Sequence, residues 1–236
     1  ATPVGIDNCP GATVTRTAGP ASGATFPIGT TTVTHVVTDA AGLSASCSFT
    51  VTVVDNIPPV FSGCPNASIM ATASAGNCGA TVTWNPPTIS DNCPGATMSQ
   101  TGGQAPGSFF TVGTHIITYT ASDASGNLAS CAFTVVVNDG IPPTITWCPA
   151  DIAVEATAGL CGAVVNYTPP TASDNCGTVS INRTAGLASG SVFPVGTTVV
   201  RYRASDNASP SNYTDCFFWV TVFDAAPPMF TSCPDI

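Results

Sequence analysis

Residues 47–53 read Cys-Ser-Phe-Thr-Val-Thr-Val, and their alternation decides the fold. Phe49, Val51 and Val53 alternate with Ser48, Thr50 and Thr52. One extended segment thus carries an apolar face and a hydroxylated face. A period of two in aromatic and β-branched residues predicts a half-buried strand, because successive strand side chains point to opposite faces. The pattern returns as Phe133, Val135 and Val137 after Cys131, and as Phe218, Val220 and Val222 after Cys216. The segment preceding each copy alternates too, with Val33, His35 and Val37, then Ile117, Tyr119 and Ala121, then Val200, Tyr202 and Ala204 on one face. Between the two strands of the middle copy lies Asp-Ala-Ser-Gly-Asn (123–127), a turn sequence. No stretch has a helical period with capping residues. The fold is expected to be all-β.

Outward from these strands the chain repeats itself every 84 residues or so. Asp-Asn-Cys stands at 7–9, 91–93 and 174–176, and Phe-x-x-Gly at Phe26–Gly29, Phe110–Gly113 and Phe193–Gly196. Pro-Pro pairs recur at 58–59, 142–143 and 227–228, each followed by Cys-Pro at Cys64, Cys148 and Cys233. Gly-x-Cys appears at Cys78 and Cys161. This period is the size of a small β-sandwich domain. It divides the chain into a partial repeat lacking its first strands (1–57), two complete repeats (58–141 and 142–226) and the start of a further one (227–236). The expectation is a window on a longer array. A second reading has the tail of one molecule completing the first repeat of the next by strand addition.

Composition narrows the function. Only 7% of residues are charged, lysine is absent, and four arginines face thirteen acidic residues for a net charge of −9. Nothing here could neutralise a phosphate backbone, so nucleic acid is excluded as a partner. No apolar run approaches the roughly 20 residues of a membrane span. Eleven cysteines placed on the repeat read as a disulfide framework, hence an extracellular, secreted or cell-surface location.

Nine of the thirteen acidic residues occupy three recurring positions: Asp7, Asp91 and Asp174; Asp39, Asp123 and Asp206; Asp55, Asp139 and Asp224. In a sandwich the first two loops share the domain entrance, and the third position leads into the next entrance. Asp55 with Asp91 and Asp123, and Asp139 with Asp174 and Asp206, are therefore candidate Ca²⁺ ligands, since hard oxygen donors from several loops suit that ion. The competing reading is turn chemistry, in which each carboxylate serves only its own loop amides. Apart from Ca²⁺, no cofactor is expected. His35 aligns with Tyr119 and Tyr202, and His115 with Thr31 and Thr198, so neither belongs to a repeated catalytic set. With no Ser/His/Asp set or phosphate loop present, no catalytic residue is assigned and no enzyme is expected. Asn66, Asn166, Asn182, Asn207 and Asn212 begin Asn-x-Ser/Thr sequences and are candidate glycosylation sites.

Phe-Pro-Val-Gly-Thr-Thr-Val-Val (193–200), Ala-Ser-Asp-Ala-Ser-Gly-Asn (121–127), Cys-x-Phe-x-Val-x-Val and Pro-Pro-x-Ile-x-x-Cys-Pro (142–149) together resemble the HYR (hyalin repeat) domain, in register three times. The additional Gly-x-Cys and Asp-Asn-Cys cysteines resemble bacterial surface-protein versions of it. The resemblance implies tandem immunoglobulin-like β-sandwich domains related to fibronectin type III, in extracellular proteins with adhesive roles. Strand direction favours Cys148–Cys216 but leaves Cys161 awkwardly far from a partner. Family members that keep only the Cys-Pro and Cys-x-Phe cysteines tip the choice to Cys64–Cys131, Cys148–Cys216, Cys78–Cys93 and Cys161–Cys176. The rival set is Cys148–Cys176 with Cys161–Cys216. Cys9, Cys47 and Cys233 are left over, Cys233 being placed to bridge to a next repeat.

Two function classes remain. Rigid repeats joined by short Pro-Pro linkers suit a structural spacer in a rod, stalk or filament, whose partners are neighbouring repeats or copies of itself. An adhesin-type module would instead present its loops to a glycan or protein ligand. The loops of the second and third repeats are mostly alike apart from a two-residue insertion after Asp206, which favours the spacer.

Overall fold

The computed structural model describes residues 3–231, so Cys233 lies outside the described residues. The described residues form strands and no helix. The first repeat contributes β1 (Thr13–Ala18), β2 (Gly29–Thr38) and β3 (Ser44–Val53). The second contributes β4 (Val60–Ser62), β5 (Ile69–Thr72), β6 (Gly79–Val82), β7 (Thr88–Ser90), β8 (Thr97–Gly102), β9 (Ser108–Thr111), β10 (Gly113–Ser122) and β11 (Leu128–Asn138). The third repeats the set as β12 (Thr144–Trp147), β13 (Ile152–Glu155), β14 (Gly162–Val165), β15 (Thr171–Ser173), β16 (Ser180–Ala185), β17 (Ser191–Pro194), β18 (Gly196–Ser205) and β19 (Tyr213–Phe223). By contacts the chain separates into two compact units, one of residues up to 64 with 87–99 and 119–131, the other of 65–86, 100–118 and 132 onward.

The third repeat lies wholly in the second unit and shows the architecture best. A four-stranded sheet runs β13-β19-β18-β16, and two-stranded sheets pair β14 with β17 and β12 with β15. The entering segment changes sheet: β12 pairs antiparallel with β15, and β13 then pairs parallel with β19. The switch falls at Cys148-Pro149, where proline removes a ladder donor. Alternation delivers Val200 and Tyr202 from β18, and Phe218, Val220 and Val222 from β19, into one core with Ala163, Val165 and Phe193. Phe193 and Phe218 are completely buried. Tyr167 closes the core edge, its ring 5.0 Å from Phe218 and its hydroxyl donating to the Leu187 carbonyl at 2.6 Å. Buried tyrosine needs such a partner for its polar tip. In the second repeat the equivalent position is Trp84, packed against Phe110 and Phe133. Its strands keep the third repeat's order, with sheets β5-β11-β10-β8, β4-β7 and β6-β9.

The Gly-x-Cys motif has a steric cause. Gly159 holds φ at +78° and Gly76 at +81°, the left-handed region where a side chain is strained. The glycine that opens β14, Gly162, lies so close to β17 that an added Cβ would meet the Phe193 carbonyl oxygen at 2.6 Å.

Two disulfides match the pairing implied by the resemblance. Cys64 bonds Cys131 and Cys148 bonds Cys216, each with Cα atoms 6.0 Å apart. The other two pairs are corrected. Cys78 bonds Cys176 of the following repeat, with a Cα separation of 4.8 Å, and Cys93 and Cys161 are free thiols, as are Cys9 and Cys47. The physical reason is direction. The loop before β14 lies at the opposite end of its sandwich from the Asp-Asn-Cys loop, so a bond inside one repeat would have to cross the core. The far end of one repeat meets the near end of the next, and there the two cysteines come together.

In the first repeat, β1, β2 and β3 form one antiparallel sheet in which Val33 faces Phe49 and His35 faces Cys47. Phe49 is 46% exposed, whereas its counterparts Phe133 and Phe218 are 6% and 0% exposed. The contrast sets an expectation for truncation. Phe218→Ala should destabilise the third repeat by about 3–5 kcal/mol, the cost of emptying a closed aromatic site. Phe49→Ala should cost less than about 1 kcal/mol. Denaturant unfolding of the full chain, followed by tryptophan fluorescence, measures both, and equal losses would contradict the assigned core.

Candidate cation site at the repeat entrances

The third repeat's entrance is built from three aspartates on three different segments. Asp139 opens the linker after β11, Asp174 opens the Asp-Asn-Cys turn after β15, and Asp206 begins the loop between β18 and β19. The structure brings all three together, one carboxylate oxygen from each lying within 4.8 Å of the others. Asp139 and Asp206 are buried, at 7% and 4% exposure.

Local hydrogen bonding explains why each carboxylate points inward. Asp206 Oδ1 accepts from the backbone amides of Ala208 at 3.0 Å and Asn212 at 2.9 Å. Asp139 Oδ1 accepts from the Ile141 amide at 3.1 Å, and Asp174 Oδ2 from the Cys176 amide at 2.8 Å. These are Asx-type turns, as the bland reading anticipated. They do not consume every oxygen: Asp174 Oδ1 and the neighbouring Asn175 Oδ1 are buried and have no hydrogen-bond partner within the described protein.

The second repeat's entrance differs. There Asp55, Asp91 and the Cys93 thiol make the close group, with the Cys93 Sγ in the place of a third carboxylate. Asp123, expected as the third ligand, lies outside that close group and is held by its own loop as Asp206 is. Its Oδ1 accepts from the amides of Ser125 and Asn127, and its Oδ2 from the Asn127 side chain at 2.6 Å. Asp91 Oδ2 remains without a partner within the described protein.

Two asparagines brace these sites and were missed from sequence. Asn127 Nδ2 also donates to the Asp55 backbone carbonyl at 3.1 Å, tying loop to linker. Asn212 does the same in the third repeat, donating to the Asp139 carbonyl at 3.1 Å and to Asp206 Oδ2 at 2.8 Å. Because of the insertion, Asn212 stands six residues after its aspartate and Asn127 four, so simple alignment hides their equivalence. The bracing also bears on glycosylation. Asn66, Asn166, Asn182 and Asn207 are exposed, whereas Asn212 is half-buried. A sugar on Asn212 Nδ2 would leave one N–H for two acceptors.

The charges follow these contacts. Burial opposes ionisation of Asp123 and Asp206, but hydrogen bonds from Asn127 and Asn212, together with the loop amides, outweigh it and hold both carboxyls below the usual range. Asp55 is lowered first by the Cys93 thiol and then by the Ile57 amide. In return Cys93 is pushed up to about 11, chiefly by Asp55, then by burial and by the charges of Asp55, Asp91 and Asp123. Cys93 is therefore a protonated thiol at neutral pH.

The sign of the pH dependence is set by these depressions. A carboxyl whose folded pKa is lowered stabilises the fold above its unfolded pKa, near 3.9, and loses that contribution as pH falls through the folded value. Stability should be flat from about pH 7 to pH 5 and fall below about pH 4. Asp206→Asn should lower stability at pH 7 and flatten the acid limb. Denaturant midpoints across that range measure this, and an unchanged acid limb in the variant would contradict the assignment.

Comparison with known proteins places this architecture. The HYR domain model matches residues 1–53, 54–137 and 138–222. Hyalin of Strongylocentrotus purpuratus is 42% identical over 230 residues, covering 94% of this chain and 18% of that protein. Hyalin of Lytechinus variegatus is 40% identical over 207 residues, covering 86% of this chain and 38% of that protein. A Rattus norvegicus protein named for its sushi, von Willebrand factor type A, EGF and pentraxin domains is 37% identical over 154 residues, covering 64% of this chain and 4% of that protein. The chain thus spans well under half the length of these relatives. It belongs to the HYR domain family, as a tandem of three repeats.

Proposed function

We propose that the chain is an extracellular structural spacer, a tandem of disulfide-closed HYR repeats within a rod, stalk or filament. The observation that carries this reading is that, among the described residues, the recurring chemistry-bearing residues gather at the junctions. The aspartates, their asparagine braces and the entrance cysteines all sit where one repeat follows another. An adhesive tip would concentrate distinctive residues on one repeat's loops. The partners of such a spacer are further repeats and other copies of the chain. A compact single domain of this length would have a radius of gyration near 18 Å. Small-angle scattering from the full chain should give a value well above that, and a value at the compact limit would overturn the spacer.

We propose Ca²⁺ as the junction's ligand. Three carboxylates converging from three segments at Asp139, Asp174 and Asp206, one of them with a buried oxygen unused by the protein, supply the hard oxygen set the ion takes. Water and backbone carbonyls would complete a shell of 6–8 oxygens. Binding would also relieve the mutual repulsion of the cluster. Calcium at about 5–50 times its Kd should stabilise the chain by about 1–2.3 kcal/mol. Thermal melts of metal-free chain with and without roughly 5 mM CaCl₂ test this, that concentration exceeding the range of extracellular calcium modules. Asp174→Asn should abolish the shift. A melting temperature unmoved by calcium in the unsubstituted chain would remove the proposal.

A further inference from the structure

The Cys78–Cys176 bond joins two motifs that each occur more than once. Its first half is the Gly-x-Cys loop of one repeat, and its second is the Asp-Asn-Cys turn of the next. Beside the bond Asn175 Nδ2 donates to the Asn77 carbonyl at 3.2 Å, so the two loops meet through a hydrogen bond as well. Cys161 and Cys93 are the same two halves, each without its mate.

The halves are built alike. Around Cys78, the Ser74 amide donates to the Gly79 carbonyl at 2.9 Å, the Asn77 amide to the Ser74 carbonyl at 3.0 Å, and the Val112 amide to the Cys78 carbonyl at 3.2 Å. Around Cys161 the same three bonds run from Thr157 to Gly162 at 2.8 Å, from Leu160 to Thr157 at 2.8 Å, and from Val195 to Cys161 at 3.1 Å. The loop that aims Cys78 at a following repeat therefore exists again at Cys161, and there the thiol is exposed. On the other side, the Cys93 amide donates to Asp91 Oδ1 at 2.9 Å, as the Cys176 amide does to Asp174 Oδ2 at 2.8 Å. Asn92 and Asn175 each place their amide on the adjacent sulfur, at 3.0 and 3.2 Å.

We infer that this bond is a general junction clamp of the array. Cys161 is the outgoing half and takes the Asp-Asn-Cys cysteine of a following HYR repeat, while Cys93 is the incoming half and takes the Gly-x-Cys cysteine of a preceding one. The inference rests on the equivalence of the repeats and holds whether or not the array is a spacer. Closure is thiol–disulfide exchange with a small-molecule disulfide such as oxidised glutathione. One cysteine thiolate attacks the disulfide and releases one thiol. The second cysteine attacks the mixed disulfide and releases another, so two cysteine thiols and one disulfide become one cystine and two small thiols. The exposed Cys161 is open to the small disulfide and attacks first.

Disulfide mapping by mass spectrometry tests the clamp. The 236-residue chain, formed in oxidised glutathione, alkylated after denaturation and digested without reduction, should yield a Cys78–Cys176 peptide with Cys161 alkylated or held as a mixed disulfide with glutathione. A Cys78–Cys93 peptide together with a Cys161–Cys176 peptide would overturn the inference. A second chain, residues 1–226 followed by another copy of 142–226, supplies the missing mate. It should show Cys161 joined to the Asp-Asn-Cys cysteine of the added repeat, and Cys161→Ser should lose that link alone. Cys161 left alkylated, in a sample where both copies of the Cys148–Cys216 peptide prove the repeats folded, would equally overturn it.

Discussion

A sandwich of little more than eighty residues buries too small an apolar core to be secure alone, and the bond from its entrance to its last strand answers that constraint. Cys148 stands where the entering segment switches sheets, and Cys216 starts the buried stripe of β19. Tying them holds the first and last strands of the repeat together across 68 residues of sequence, removing unfolded-state freedom worth about 2–4 kcal/mol. Cys64 and Cys131 do the same one repeat earlier. With the first strand held on β19, the loops that open beside it are held too. Those loops carry Asp174 and Asp206, so the acidic entrance depends on the same bond as the core.

The entrances then face an electrostatic problem. Three carboxylates within 4.8 Å repel one another, and burial makes each charge more expensive. The fold answers with donors: Asn212 and the amides of Ala208 and Asn212 for Asp206, and Ile141 for Asp139. The state of the entrance cysteine changes what remains. Cys176, committed to Cys78, leaves an all-carboxylate group at its entrance. Cys93, a free thiol, sits within the group and hydrogen-bonds Asp55 instead. A thiol is a soft, weak ligand for Ca²⁺, whereas oxygen donors suit it. The proposed clamp and the proposed calcium site of a junction thus share the Asp-Asn-Cys turn.

Legibility in the sequence follows the range of each interaction. The long strands β2, β3, β10, β11, β18 and β19 were readable because their apolar faces alternate over ten residues or more. The short strands β4, β7, β12 and β15, of three or four residues, carry no such period and exist through tertiary pairing. The convergence of Asp139, Asp174 and Asp206 was legible from their recurrence, since a position repeated in three loops of one sandwich end must gather in space. Asn127, which braces Asp123 as Asn212 braces Asp206, was not legible, because the insertion after Asp206 shifts the two asparagines out of alignment. The Cys78–Cys176 bond was illegible for a different reason. Pairing was sought inside each repeat, and the direction of the strands had already set Cys161 far from Cys176. The distance that counts is between the bottom of one repeat and the top of the next, which no single repeat contains.

That bond also changes the mechanics of its junction. A linker such as Asp139-Gly-Ile-Pro-Pro143 restricts φ at its two prolines, but Gly140 before them leaves the backbone freedom to turn. A single covalent path between two bodies permits rotation about itself however stiff it is. A second path, attached through Cys78 and Cys176 on loops away from that linker, removes most of the remaining rotation, because a body fixed at two separated points can only hinge about the line joining them. The Asn212 bond to the Asp139 carbonyl and the Asn175 bond to the Asn77 carbonyl reinforce those two attachments. Stiffness at the Cys78–Cys176 junction thus comes from the number and spread of attachments more than from proline content. Where the cysteine pair is incomplete, as at Cys93, the linker keeps a hydrogen-bonded brace in the Asn127 bond to the Asp55 carbonyl.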